Sequence, residues 1–155
     1  MNWDAIGAIG EIVGAIAVVI TLIYLAAQLR VNTTAVNRTA TQNILQGRAD
    51  LSFYIASDKE ITALLWNGAD NPDSLTTEEW QRFFFVVSGA VRTMELAFID
   101  HEKGRMTEDE WLGQSNAILY WFPRPGFRKW VHEYGQTLNP GFRNYVEKIQ
   151  KDSEV

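Results

Sequence analysis

Residues 5–29 of the chain form one long apolar run. Between Ala5 and Leu29 the only charged side chain is that of Glu11. At about 1.5 Å per residue, a helix of this length covers the roughly 30 Å hydrocarbon core of a bilayer with some length to spare. The pattern therefore predicts a transmembrane helix within residues 1–30. The alternative, a buried hairpin helix of a soluble protein, is disfavoured by the length of the run.

The run has the features of a retained anchor rather than of a cleaved signal peptide. A signal peptide begins with basic residues and has a shorter apolar core, followed by an Ala-x-Ala-like cleavage site. Here the start is acidic, with Asp4 and Glu11, and the apolar stretch is longer. We expect the segment to remain in the mature protein, with the lipid bilayer as its partner.

The charges around the run predict its orientation. The first positive charges, Arg30, Arg38 and Arg48, all follow it. The positive-inside rule then places the N-terminus outside and the remainder of the chain in the cytoplasm. Trp3, just before the run, is expected to lie at the outer membrane interface.

Small and polar residues follow one line along the predicted helix. They are separated alternately by four and three residues, which is the repeat of a heptad seam. The opposite line, read from Ile9 to Ala27, contains nothing polar. We expect one face of the helix in lipid and the other against protein or water. The residues of this line, here called the stripe, are Gly7, Glu11, Gly14, Val18, Thr21, Leu25, Gln28 and Asn32.

The stripe has three interpretations. Copies of the chain pack along it as a homo-oligomer, because small residues allow close approach and polar residues bond between helices. In a larger ring the same residues line a cation-preferring pore, with Glu11 as its outer ring. In the third interpretation no partner is needed: Thr21 bonds to its own helix, Gln28 lies at headgroup depth, and Glu11 reaches water at the outer edge.

Helical patterns dominate the rest of the chain. Residues 31–56 contain no proline and become amphipathic between Ile44 and Ile55, which predicts a helical stalk. Residues 57–155 are expected to form a small cytoplasmic helical domain. Three capping patterns predict helix starts near or within it: Ser57 with Glu60, Thr76 with Glu79, and Thr107 with Glu110.

The second of these starts leads into a regular apolar face that predicts the core helix, ending at Gly104. Near the C-terminus, "PGFRKWVHEY" and "PGFRNYVEKI" each place Pro at a helix start and aromatic residues on one face. We expect both to pack on the bundle; the alternative is an aromatic, basic surface on the inner leaflet. No segment alternates like a strand, so the predicted fold class is all-α. The apolar face of the predicted core helix, which follows Thr76, consists of Trp80, Phe84, Val87, Val91, Met94 and Phe98.

Composition narrows the classes of function. The chain has 14 Lys and Arg residues against 19 Asp and Glu residues, a net charge of −5, and the basic residues are scattered among acidic ones. Because no basic face is available for a phosphate backbone, nucleic-acid binding is not expected. The chain has no cysteine, which excludes disulfides, thiolate catalysis and Cys-based zinc sites.

The side chains that carry chemistry form no known site motif. His101 and His132 lie in neither a His-Glu-x-x-His nor a Glu-x-x-His pattern. Residues 100–102 are expected to be solvated charges at a helix end. Arg92 and Glu95, three residues apart, are expected to form an exposed ion pair. We therefore predict no catalytic, cofactor-binding or metal-binding residue and a protein that is not an enzyme.

The opening "WDAIGAIGEIVGAIAVVITLIYLAAQLRVNT" is followed by the Trp-containing segments "EEWQRF" and "EDEWL". Together they resemble a group of small, uncharacterised bacterial proteins with one N-terminal transmembrane helix and a helical cytoplasmic domain. The resemblance implies a bacterial origin, and therefore the inner membrane, but no activity. The predicted function is that of a non-enzymatic membrane protein that self-associates through the stripe and presents its cytoplasmic domain to another protein. The pore is the alternative.

Overall fold

A computed structural model describes the backbone of residues 3–153 and the side chains of residues 7 and 9–153. Within this range the chain forms α-helices and short 3-10 turns and contains no strand, so the predicted all-α class is confirmed. The 3-10 turns are Pro72–Ser74 and Gly135–Thr137. The helices are α1 (Trp3–Ser57), α2 (Lys59–Asp70), α3 (Thr77–Glu102), α4 (Glu108–Trp121), α5 (Pro125–Tyr134) and α6 (Pro140–Asp152).

The chain divides into two compact units, Met1–Ala40 and Thr41–Val155, here called the N-terminal and C-terminal units. Helix α1 contributes residues to both of them. The predicted stalk, residues 31–56, therefore includes residues of each unit. The predicted division at residues 30 and 56 stays a prediction.

The N-terminal unit is one helical segment with an uncovered apolar surface. Every side chain from residue 9 to residue 36 is exposed. The helix is long and apolar enough to cross a membrane. The side chain of Trp3, the predicted interfacial anchor, lies outside the described side chains.

The C-terminal unit is a bundle built around α3. Phe83, Val87 and Val91 of this helix are fully buried, and α2, α4 and α6 contact it. The predicted apolar face is confirmed, with Trp80 and Phe84 at its partly buried end. Phe83, which the predicted face omitted, lies at the centre of the core because α2 covers that side of α3 as well.

Two of the three predicted capping boxes are present. The Thr76 and Thr107 backbone N–H groups donate to Glu79 and Glu110, each at 2.8 Å. These backbone hydrogen bonds, followed by those from the threonine hydroxyls, lower the pKa of both glutamates below the ordinary value of 4.5.

The third predicted capping box is wrong. Asp58 is the N-cap of α2, and its side chain accepts hydrogen bonds from the Glu60 and Ile61 backbone N–H groups at 2.8 and 3.2 Å. The Ser57 hydroxyl donates instead to the Tyr54 carbonyl at 2.8 Å. Because Ser57 is still the last residue of α1, the break between the helices lies one residue later than the pattern indicated.

Helices α2 and α5 approach each other through two glycines. A Cβ atom at Gly126 would overlap the Gly68 carbonyl oxygen and lie 2.8 Å from the carbonyl carbon. A Cβ atom at Gly68 would overlap the ring of Phe83 at Cδ2 and lie 2.8 Å from its Cγ and Cε2 atoms. Any larger residue at either position would force the two helices, or the central phenylalanine, to move.

The two similar C-terminal segments, α5 and α6, pack on the bundle as predicted. Phe127 and Val131 of α5, and Phe142 and Val146 of α6, all belong to the buried core. Trp130 is also buried. The alternative in which these aromatic faces rest on a bilayer is therefore wrong, because the bundle itself covers them.

Candidate functional site

The stripe residues lie along one continuous helix. Because α1 has no break between residues 7 and 32, residues spaced alternately by four and three follow one side of it. Their side chains are exposed, as are those of the opposite, aliphatic line. The N-terminal unit thus carries the stripe on its surface, and the assignment of these residues to an interface or a pore stays a prediction.

The hydroxyl groups near the stripe bond to their own helix. Thr21 Oγ1 donates to the Ala17 carbonyl at 2.8 Å, and Thr33 makes the same bond to Leu29 at 2.9 Å. A threonine that donates to the residue four positions earlier has used its only donor, although its oxygen can still accept. Thr21 therefore requires no neighbouring helix for its donor, which is the third of the interpretations given above.

The glycines of this segment have no packing role within the described part of the chain. A Cβ atom at Gly7, Gly10 or Gly14 would meet nothing within 4 Å. Glycine in a helix interior costs about 0.5–1 kcal/mol relative to alanine. The contrast with Gly68 and Gly126 is clear, because there the chain's own atoms exclude a side chain.

The Arg92–Glu95 pair is present but is not an exposed pair. Glu95 is only 7% exposed and accepts hydrogen bonds from Arg92 Nη1 at 2.7 Å and from the Asn139 backbone N–H at 2.5 Å. Arg92 also donates to the Thr137 carbonyl at 3.2 Å. The pair holds the α5–α6 connection against α3. This connection comes from more than forty residues away, so the local pattern gave no sign of it.

The predicted solvated cluster at the end of α3 is also partly buried. Asp100 is 7% exposed and forms an ion pair with Arg105, whose Nε donates to it at 3.0 Å. The His101 ring stacks on Trp111 with 4.6 Å between centroids, and its Nδ1 has no hydrogen-bond partner. Among the described residues, no group of three or more His, Cys, Asp or Glu side chains is arranged to hold a metal ion. The expectation of solvated charge is therefore wrong for Asp100, because the Gly104 turn folds Arg105 back over it.

The C-terminal unit contains a cavity of about 100 Å³. Arg48 is the one charged residue among those that line it, and the rest of the wall is mainly hydrocarbon. Arg48 Nη1 donates to Oε1 of Gln114 at 3.0 Å, and Gln114 is buried. The lining residues are Arg48, Leu51, Ser52 and Ile55 of α1, Leu65 of α2, Val86, Ala90, Thr93 and Met94 of α3, Trp121 of α4 and Phe127 of α5.

Arg48 was expected only to orient the membrane segment. Its place in the C-terminal unit could have been predicted from the spacing of Ile44, Arg48, Leu51 and Ile55, which are separated by four, three and four residues. This spacing places an arginine on the apolar face of an amphipathic helix segment. A long charged side chain at such a position is directed toward the bundle and indicates a polar site within it.

No family model, curated protein or solved structure matches the chain. The similarity of the opening segment to small bacterial membrane-anchored proteins stays a resemblance.

Proposed function

We propose that this protein is a non-enzymatic, single-pass membrane protein that self-associates through the stripe and presents its C-terminal unit to another protein. The observation that carries the proposal is the uncovered apolar surface of the N-terminal unit, whose glycines Gly7, Gly10 and Gly14 have no packing role within the described chain. An apolar surface of this length is covered by lipid or by protein when it is stable. An α-helix satisfies its backbone hydrogen bonds internally, so its apolar surface can be covered by lipid in a bilayer.

The charges around the apolar run give the proposed orientation. In the inner membrane of a bacterium, the N-terminus lies outside and the C-terminal unit lies in the cytoplasm, because the first arginines follow the apolar run. This orientation keeps Glu11 near the outer boundary, where a carboxylate is less costly than at the bilayer centre.

Self-association explains the glycines better than a lone anchor does. Small residues at Gly7, Gly10 and Gly14 allow two helix backbones to approach closely, which compensates for their low helix propensity. Glu11 and Gln28 are the stripe residues with the most to gain from a second copy.

The C-terminal unit exposes apolar side chains on α4, and its two buried carboxylates pair with arginines. Leu112 and Leu119 are 60% and 49% exposed and lie seven residues apart on α4. The buried carboxylates of Glu95 and Asp100 are engaged with arginines. These observations support an interaction protein rather than an enzyme.

Cysteine cross-linking tests the interface directly, since the chain has no cysteine of its own. We expect Val18→Cys and Leu25→Cys to form disulfide-linked dimers in membranes under mild oxidation. Ile16→Cys and Ile23→Cys, on the opposite line of the same helix, are the matched controls and should link several-fold less. Equal linking on both lines would contradict the proposed interface.

The number of subunits separates the packed interface from the pore. A dimer or trimer in mild detergent, measured by light scattering, would support packing along the stripe. A ring of five or more copies that conducts cations in bilayers, with a cation preference lost in Glu11→Gln, would replace the proposal with the pore. A monomer at all concentrations would rule out both.

A further inference from the structure

Arg48 is a partly buried cation that no described carboxylate pairs with. Within the part of the chain that the structure describes, its one side-chain partner is the neutral oxygen of Gln114. The arginines at positions 92, 105, 124 and 143 all pair with carboxylates in the same unit. A partly buried charge is costly unless it is paired, so the guanidinium of Arg48 has capacity for an anion.

The groups around Arg48 select the kind of anion. Two hydroxyls line the same cavity, but Ser52 Oγ donates to the Arg48 carbonyl at 2.9 Å and Thr93 Oγ1 donates to the Ala90 carbonyl at 2.7 Å. Both hydroxyls have therefore used their only donor, so neither can donate to the second negative charge of a phosphate. One planar guanidinium matches one planar, singly charged carboxylate, which it can bind through two parallel hydrogen bonds.

The remainder of the cavity selects an apolar body for the same molecule. Leu51 and Ile55 of α1 face Val86, Ala90 and Met94 of α3 across it. An apolar cavity of about 150 Å³ holds benzene, so a volume near 100 Å³ accommodates roughly four carbon atoms. The walls offer no second charge, and a volume of about 100 Å³ is smaller than the roughly 150 Å³ that holds a benzene ring, so it is too small for a sugar or a nucleotide.

We propose that this cavity binds a short-chain aliphatic carboxylate, with the carboxylate on Arg48 and the alkyl chain between α1 and α3. The site is separate from the stripe and does not depend on self-association. It gives the C-terminal unit a small-molecule ligand in addition to a protein partner.

Calorimetric titration of the full chain in detergent micelles tests the assignment. The probes are pentanoate and 1-pentanol, which share a chain length and differ in charge, and titration of empty micelles is subtracted. We expect pentanoate to bind about tenfold or more tightly than the alcohol, because a hydrogen bond to a charged group is stronger than one to a neutral group. This comparison requires no variant, so it does not depend on any substitution being tolerated.

Three variants locate the site. Arg48→Met should reduce the affinity for pentanoate to that for the alcohol, and Ala90→Leu should weaken both ligands because it fills the cavity. Arg82→Met is the control, since Arg82 is exposed and lines no part of this cavity. Helix content by circular dichroism verifies that each variant is folded. Where Arg48→Met loses helix content, Arg48→Lys replaces it and should bind several-fold more weakly than the native chain.

Several outcomes would overturn the assignment. They are the absence of measurable pentanoate binding, equal affinity for pentanoate and pentanol, and unchanged binding in Arg48→Met. An equal loss of affinity for pentanoate in Arg82→Met would mean that binding depends on the net charge of the protein rather than on this cavity.

Discussion

Glycines with opposite surroundings occur in the two units of the chain. In the C-terminal unit, Gly68 and Gly126 lie where the chain's own atoms leave no room for a methyl group. In the N-terminal unit, Gly7, Gly10 and Gly14 face open space, and every described side chain through residue 36 is exposed. The C-terminal unit buries its own core residues, whereas no described residue covers the apolar surface of the N-terminal unit.

This difference separates two causes of the same sequence pattern. An apolar helix face in the C-terminal unit is explained by contacts with other helices, as α3 shows with Phe83 and Val91. The apolar surface of the N-terminal unit has no such contacts among the described residues. Under the proposed function, lipid and a second copy of the chain would cover it. Substitutions in the C-terminal unit should therefore change its free energy of unfolding. Substitutions in the N-terminal unit should change the association of the chain with a bilayer.

The largest expected effect is that of Gly126→Ala. The added methyl group would overlap backbone atoms of Gly68, which cannot rotate away as a side chain can. We expect a loss of at least about 3 kcal/mol in the free energy of unfolding, at the upper end of overpacking effects. Urea unfolding of the full chain in micelles, followed by near-ultraviolet circular dichroism, measures it.

Gly113→Ala is the matched control for this substitution. Gly113 is exposed on α4, and a Cβ atom there would meet nothing within 4 Å. The change should stabilise the unit by about 0.5–1 kcal/mol, because alanine favours the helix. The same urea midpoint for both variants would show that α2 and α5 are not in close contact in solution.

A charge in the aliphatic line of α1 should have the next largest effect. Ile16→Asp places a carboxylate near the middle of the apolar run, at a cost of about 3 kcal/mol on insertion scales. We expect about a hundredfold shift from the membrane pellet to the soluble fraction after alkaline extraction. Leu45→Asp, the same change at an exposed position of α1 in the C-terminal unit, should leave extraction unchanged. Similar extraction of the two variants would contradict the membrane assignment.

Glu95→Gln should have an intermediate effect on the C-terminal unit. The substitution removes the buried charge that accepts from Arg92 and Asn139. Because Arg92 is half exposed, we expect a loss of about 2 kcal/mol in the free energy of unfolding, below the 3–5 kcal/mol of a fully buried pair. Glu147→Gln is the control, since its pair with Arg143 is exposed and worth about 0.3–0.5 kcal/mol. Equal effects in urea would mean that Glu95 is solvated.

The sequence predicted the features of the fold that depend on neighbouring residues. The starts of α3 and α4 follow from Thr76 and Thr107, because a capping box is complete within four residues. The apolar face of α3 follows from periodicity alone. The start of α2 was misplaced because Ser57 and Asp58 are both capping residues, and only the end of α1 decides between them.

Features that join distant parts of the chain were not predictable in the same way. The burial of Glu95 depends on Asn139, which lies 44 residues away, and no local pattern reports that contact. The close approach of Gly68 and Gly126 likewise depends on the packing of α2 against α5. Arg48 is different, because its position in an apolar spacing was visible in the sequence and was overlooked.

The smallest expected effect is the pH dependence of the two capping boxes. Hydrogen bonds from Thr76 and Thr107 lower the pKa of Glu79 and Glu110 in the folded chain below the ordinary 4.5. A lowered folded-state pKa means that the ionised boxes stabilise the fold above about pH 4.5 and that this contribution is lost as the pH falls through the lowered pKa.

The double variant Glu79→Gln, Glu110→Gln isolates this contribution, because glutamine still accepts the capping hydrogen bonds but does not titrate. Between pH 6 and pH 3, we expect the urea midpoint of the native chain to fall further than that of the double variant. The variant Glu78→Gln, Glu108→Gln removes the same charge from the same first turns and leaves both boxes intact. If this control reduced the pH dependence as much as the capping variant, the effect would come from the helix dipole rather than from the boxes. The comparison of the two units predicts a further result: because both boxes lie in the C-terminal unit, the capping variant should remain in the membrane pellet after alkaline extraction.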